Sequence, residues 1–186
     1  MTPSPFPRFN IALLPCDDAH QQVFARLAQS YFAEPLHDYL LGDHALAHVT
    51  LCQFRAPDSK AAGDAFASWI SHDNPDRDPA LLSIAYFQYK RRDPYPFYWA
   101  ELLIQATPTL HNLQQRCCDH LQSMGIEVLT QREPFSPHIT LACTADQSVD
   151  ADAVTQAAPQ EAIPFRLGLG QSSEYGVFIR ELAVQG

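Results

Sequence analysis

Apolar residues along the chain fall into short runs separated by polar, proline-containing stretches. FNIALLP (9–15) is an apolar run stopped by proline and predicts a buried strand. In DDAHQQVFARLAQSYF, Asp17 or Asp18 is placed to cap a helix that carries Val23, Leu27 and Tyr31 on one face. HALAHVTLCQF is rich in β-formers over 48–54, and APDSKAAGDAFASWI after it sets Ala62, Phe66, Trp69 and Ile70 at helical spacing. The polar stretch 71–79 reads as a loop. ALLSIAYFQYKRR and PFYWAELLIQ read as two long strands of an antiparallel hairpin around RDPYP. In 107–125, Leu110, Leu113, Cys117 and Leu121 share a helical face, Pro108 suits the first turn and Gly125 the C-terminal stop. HITLACT (138–144) predicts a strand, SVDADAVTQAAP a helix, and IPFRLGLG and YGVFIRELAV a last strand pair around QSSE.

This mixed order lacks a regular βαβ alternation and fits an α+β fold with antiparallel sheets. A chain of 186 residues, 46% of them hydrophobic, suits one compact unit spanning 1–186, or two tightly joined lobes. Neither a membrane span nor a secretory signal is legible, so a soluble cytoplasmic protein is expected. Five cysteines, two of them adjacent at 117 and 118, suggest neither a disulfide framework nor a CxxC pair. A formal net charge of −9 opposes binding of long nucleic acid through phosphate neutralisation, though not of a small or terminal phosphate. Local basic character survives at Lys90, Arg91, Arg92 and Arg132, as solvated strand-end charge or as phosphate-facing groups.

One pattern occurs twice. HVTL begins at residue 48 and HITL at residue 138, and among eight histidines only these two have Thr at +2 and Leu at +3. Each follows a strand and a helix, which hints at internal duplication. Simple strand alternation puts His48, Thr50 and Cys52 on one face, and His138, Thr140 and Ala142 on one face. Paired imidazoles suit phosphodiester cleavage, in which a neutral ring takes the proton of the attacking oxygen and a protonated ring gives one to the leaving oxygen. Thr hydroxyls beside them can hydrogen-bond the non-bridging oxygens. The bland alternative, two core histidines hydrogen-bonded in strands, accounts for one motif but not for its repetition.

Two HxTL motifs, together with the NIALLP strand and PHITLA in the second copy, resemble the 2H phosphoesterase superfamily, which includes the bacterial 2'-5' RNA ligase and cyclic phosphodiesterase type. The resemblance implies two pseudo-symmetric lobes with antiparallel sheets lining a central cleft and helices outside. It implies metal-independent chemistry, without cofactor, on 2',3'-cyclic phosphates of small nucleotides or RNA ends, or on 2'-5' linkages. By motif position, His48 and His138 become the acid/base pair and Thr50 and Thr140 the phosphate binders. Which His is acid and which base is left open, as are the substrate and the hydrolase or ligase direction. A non-catalytic module gripping a nucleotide or RNA end is the alternative. Where ligase-type members continue the second motif as HITLAR, this chain has Cys143.

Other groups carry weaker signals. His44 lies four residues before His48, but such spacing in a strand separates the rings by roughly 13 Å, too far for one metal ion, and no metal is expected. Cys52 falls on the His48 face, where it could line the cleft, and Cys143 falls opposite His138; packing is the favoured reading for both. In RCCDH, Cys117 belongs to a core face and His120 to solvent. Tyr98, in the aromatic cluster YPFYW, is a candidate to stack a nucleobase, and Arg132 a candidate to hold a phosphate. Ser172 and Ser173 are weaker cleft candidates. A monomer with no membrane partner is expected.

Overall fold

The computed structural model describes residues 6–33, 36–42, 44–73, 75, 80–92, 96–130 and 134–184. Among the described residues four helices and two antiparallel sheets make a mixed α+β architecture. The first sheet is built from β1 (Arg8–Pro15), β3 (Val49–Arg55), β4 (Ala80–Leu82), β8 (Ile163–Ser172) and β9 (Phe178–Val184). Its order is β3-β1-β8-β4, with β9 also paired to β8. The second sheet, in the order β2-β7-β6-β5, holds β2 (Leu36–Leu40), β5 (Ile84–Arg92), β6 (Phe97–Ile104) and β7 (His138–Thr144).

The helices explain how the two halves interlock. Helix α1 (Asp18–Phe32) follows β1 of the first sheet but packs chiefly on β7 and β2 of the second. Conversely, α3 (Pro108–Ser123) follows β6 of the second sheet and packs on β3 of the first, alongside α2 (Ser59–Asp73), while α4 (Ala151–Ala157) covers β5. Each crossing helix is followed by a segment on the edge of the sheet it has joined. That segment is β2 beside β7 in one half, and in the other the stretch 127–130 beside β3, where Leu129 N donates to Gln53 O at 2.8 Å and Arg55 N to Glu127 O at 3.0 Å. The chain then returns to its own sheet with the motif strand. Strand, crossing helix, edge segment and motif strand therefore occur twice, which accounts for the repeated HxTL in physical terms.

Local signals agree with the helix starts: Asp17 accepts from His20 N, and Thr107 accepts from Leu110 N with Pro108 in the first turn. The buried face of α1 is Phe24, Leu27, Ala28 and Phe32, one position away from the expected Val23 and Tyr31, because the phenylalanines fill the space against Phe165 and Phe87. The stretch expected as one strand over 80–92 divides at Ser83, β4 joining the first sheet and β5 the second. No periodicity marks such a change of partner. Most of the expected loop 71–79 and the centre of the expected turn RDPYP lie outside the described residues, and α2 continues to Asp73.

One contiguous apolar cluster runs through both halves, from Ile11, Leu13 and Trp69 to Ile139 and Leu141. A smaller one, Ala12, Leu14 and Phe178, lies on the opposite face of β1. A Cβ on Gly170 would stand 2.1 Å from the Phe178 ring, so the backbone of β8 must be bare there for that ring to pack. No described helix is long and apolar enough to cross a membrane.

Candidate active site

Both motif strands carry a β-bulge at the same place. In β3, Ala12 pairs with Thr50 and Ile11 with Cys52, so Leu51 is the extra residue. In β7, Glu101 pairs with Thr140 and Ala100 with Ala142, so Leu141 is the extra residue. Leu51 and Leu141 are fully buried, each an apolar anchor behind its motif. A bulge resets the alternation of faces. Past it, Gln53 and not Cys52 shares the cavity face with Thr50, and Cys143 comes to pair with Trp99, a cavity-lining residue.

The bulges thus overturn the faces that simple alternation assigns to Cys52 and Cys143, while both thiols pack as expected. Cys52 is fully buried in the main core cluster and walls no cleft. Cys143 receives the Arg92 guanidinium at 3.5 Å, on the cleft side of the second sheet. Its thiol is pushed up to about 11, by burial above all, which suits a packing residue and not a nucleophile. All five cysteines are free thiols.

A cavity of about 210 Å³ lies between the sheets and is lined by His48, Thr50, His138 and Thr140 together. Tyr39, Gln53, Trp99, Thr130 and the turn 175–177 complete its wall. The two histidines are held alike. Nδ1 of His48 lies 2.8 Å from Leu46 O, and Nδ1 of His138 lies 2.8 Å from Ser136 O. A carbonyl only accepts, so each Nδ1 carries its proton and Nε2 is the nitrogen left to exchange one.

Their surroundings differ. His48 is buried, its ring 5.3 Å from that of Phe178. Burial pushes it down to about 4, and the nearby His138 adds to this, while hydrogen-bonding backbone at Leu46 and Gly176 acts the other way. The His138 side chain keeps 30% of its surface exposed, and its Nε2 lies 3.5 Å from Oε1 of Glu101.

Several site residues escaped the sequence reading. Asn10, fully buried in the apolar FNIALLP run, donates from Nδ2 to Thr50 Oγ1 at 2.9 Å. A lone amide in a buried strand was the available signal. Thr130 accepts from Gln53 N at 2.6 Å, and Tyr39 donates from its hydroxyl to Thr140 O at 3.3 Å. Both come from the edge segments after the crossing helices, which no motif announces. Gly176, with φ of +88°, lets the turn approach so closely that a Cβ there would stand 2.5 Å from Gln53 Nε2.

Tyr98 does not line the cavity. It lies on the face of β6 that carries Ala100, edge-on to Tyr89, and the ring presented to the cavity is that of Trp99. Arg92 is buried, pairs with Asp38 at 2.8 Å, and lies over Trp99 and Tyr175, bridging the second sheet to the β8–β9 turn. Arg132 lies outside the described residues. Ser172 accepts from Gln53 Nε2 at 3.3 Å, and Ser173 accepts from the backbone of Tyr175 and Val177, so both serve the turn. His44 is exposed and away from the cavity, and His120 packs against His72 and Ser68. Among the described residues no three His, Cys, Asp or Glu side chains come together to hold a metal ion.

Comparison with solved structures gives the same fold over nearly the whole chain. A phosphoesterase crystal structure matches with a TM-score of 0.60 at 15% identity, over 97% of each chain. The E. coli LigT complexes with NADP+ and with 3'-AMP each match with a TM-score of 0.58 at 16% identity, covering 97% and 98% of both chains respectively. No curated protein matches the chain. The sequence profile of the 2'-5' RNA ligase superfamily matches residues 15–169, a span containing both motifs and both bulges. This chain therefore belongs to the 2'-5' RNA ligase superfamily of 2H phosphoesterases.

Proposed function

We propose that the protein is a metal-independent phosphodiesterase that hydrolyses 2',3'-cyclic phosphates of small nucleotides or RNA ends, or 2'-5' linkages. The observation that carries this reading is the convergence of two imidazoles, each with Nδ1 tied to a backbone carbonyl, and two Thr residues on one cavity. One Nε2 takes the proton of the attacking water, while the other gives a proton to the departing ribose oxygen. Thr50 and Thr140 hold the non-bridging oxygens, where charge develops as the new bond to phosphorus forms. Asn10 orients the Thr50 hydroxyl. Trp99, in place of Tyr98, offers the base a stacking face, and Arg132 is retained as a second holder of phosphate.

The small cavity and the acidic chain favour nucleotides or RNA ends over long duplexes. The complexes of E. coli LigT with 3'-AMP and NADP+ support a ligand of nucleotide size. In this reading residues 1–186 work as one two-lobed monomer in the cytoplasm.

The test is a substrate screen with EDTA-treated protein against 2',3'-cyclic nucleotides, cyclic-phosphate-ended RNA and 2'-5' oligoadenylate. Turnover that survives EDTA and disappears in the His48→Ala, His138→Ala double variant is the expected result. Tight nucleotide binding without turnover across the whole panel would sink the enzyme in favour of a binding module.

A further inference from the structure

The two halves repeat strand, crossing helix, edge segment and motif strand, so their differences stand out at matched positions. Opposite Thr50 the first half has Ala12, whereas opposite Thr140 the second half has Glu101. Glu101 is only 2% exposed. One of its oxygens accepts from Gln88 Nε2 at 3.1 Å, and the other lies 3.5 Å from His138 Nε2. A buried carboxyl needs polar partners, and the Gln88 amide and the His138 ring are the two that Glu101 meets.

No carboxylate lies against His48 among the described residues: it meets the Phe178 ring, the backbone of Leu46 and Gly176, and His138. Among the described residues, the titratable groups beside His138 are Glu101 on β6 and His48 across the cavity, while Tyr39 on β2 and Tyr175 in the turn line the same cavity.

We propose that Glu101 is a positioning residue that holds His138 as the proton donor of the pair and leaves His48 as the base. The assignment rests on the phosphodiesterase reading above. Burial of His48, which keeps its ring neutral, works in the same direction. At 3.5 Å the carboxylate is beyond the 2.7–2.9 Å of a charge-assisted hydrogen bond, so it steadies the charge while Nε2–H stays available to the substrate. In the reaction His48 Nε2 takes a proton from water as the water oxygen bonds to phosphorus. The bond from phosphorus to the ribose oxygen breaks with its electron pair, and His138 Nε2–H protonates that oxygen. One water is added, and the two rings exchange protons with solvent to reset.

Two measurements test this. Nitrogen-detected NMR of the histidine rings, assigned with His48→Asn and His138→Gln, reads which ring carries two protons. At one pH near neutrality, His138 in the unmodified protein should show the larger doubly protonated fraction, and Glu101→Gln should lower that fraction several-fold while the His48 signal keeps its position. A doubly protonated His48 beside a neutral His138, or a His138 signal indifferent to Glu101→Gln, overturns the proposal. This comparison needs no turnover, so a failed substrate screen would remove the enzyme reading separately.

The second measurement uses an aryl diester, bis(4-nitrophenyl) phosphate, whose leaving group departs without a proton. His138→Gln should lose at least tenfold less activity on this ester than on a cyclic phosphate, whereas His48→Asn should lose activity on both. The reverse pattern refutes the role of Glu101.

Discussion

Acid should destabilise this protein through His48 in a way that a single substitution isolates. In the unfolded chain the ring takes its proton near 6.5, and in the folded protein burial holds it down to about 4. Between these values the unfolded state binds a proton that the folded state refuses, so stability is complete above the upper value and falls as pH drops toward the lower one. A gap of about 2.5 pH units corresponds to roughly 3 kcal/mol in all, of which about 2 kcal/mol is lost between about pH 7 and pH 4.5. His48→Asn removes the titrating ring while keeping an amide that can donate to Leu46 O. Groups that do not sense His48 contribute equally in both proteins and cancel in the comparison. Urea unfolding followed by tryptophan fluorescence, to which the fully buried Trp69 contributes, reads stability at both pH values. The unmodified protein should lose about 2 kcal/mol more than the variant. Equal losses would mean that the His48 ring accepts its proton in place, and the burial argument would be wrong.

Other outcomes follow from the same geometry. Leu51→Ala and Leu141→Ala each empty the space behind a bulge and should cost about 2–5 kcal/mol, read from urea midpoints at unchanged m-value. Gly170→Ala drives a methyl into the Phe178 ring that supports His48, and a loss of about 1–3 kcal/mol in thermal or urea unfolding is expected. Thr50→Val removes a cavity hydroxyl that the proposed reaction uses and should lower kcat/KM on a cyclic phosphate by about a hundredfold to a thousandfold. Asn10→Leu should lower it in the same direction by less, and an unchanged kcat/KM in both variants would take the Asn10–Thr50 pair out of the reaction.

The α+β class, the helices with their caps and the two motif strands were legible in the sequence because each rests on local chemistry. Asp17 and Thr107 cap with their own side chains, Leu110, Cys117 and Leu121 recur at the period of a helix, and the repeat of His, Thr and Leu singles out 48–51 and 138–141. These are properties of neighbours in the chain. The edge strand β2 was missed because LHDYL is short and carries a charge, and the division of 80–92 at Ser83 was missed because both pieces share one β-forming composition.

What only the tertiary structure decided is which side chains face the cavity. Alternation predicts faces only while every residue has a partner across the ladder, and the unpaired Leu51 and Leu141 shift each later residue by one. That shift buried Cys52 and brought Gln53 and Cys143 to the cleft side, while on β6, where Tyr98 and Trp99 already divided, it was the tertiary packing that gave the cavity to Trp99. The contact of Glu101 with His138 lay equally beyond local reading, since it exists only because β6 and β7 pair in one register. By itself the sequence named the two imidazoles and two hydroxyls; the fold distinguished one imidazole from the other, through a carboxylate that lies beside His138 and has no counterpart at Ala12.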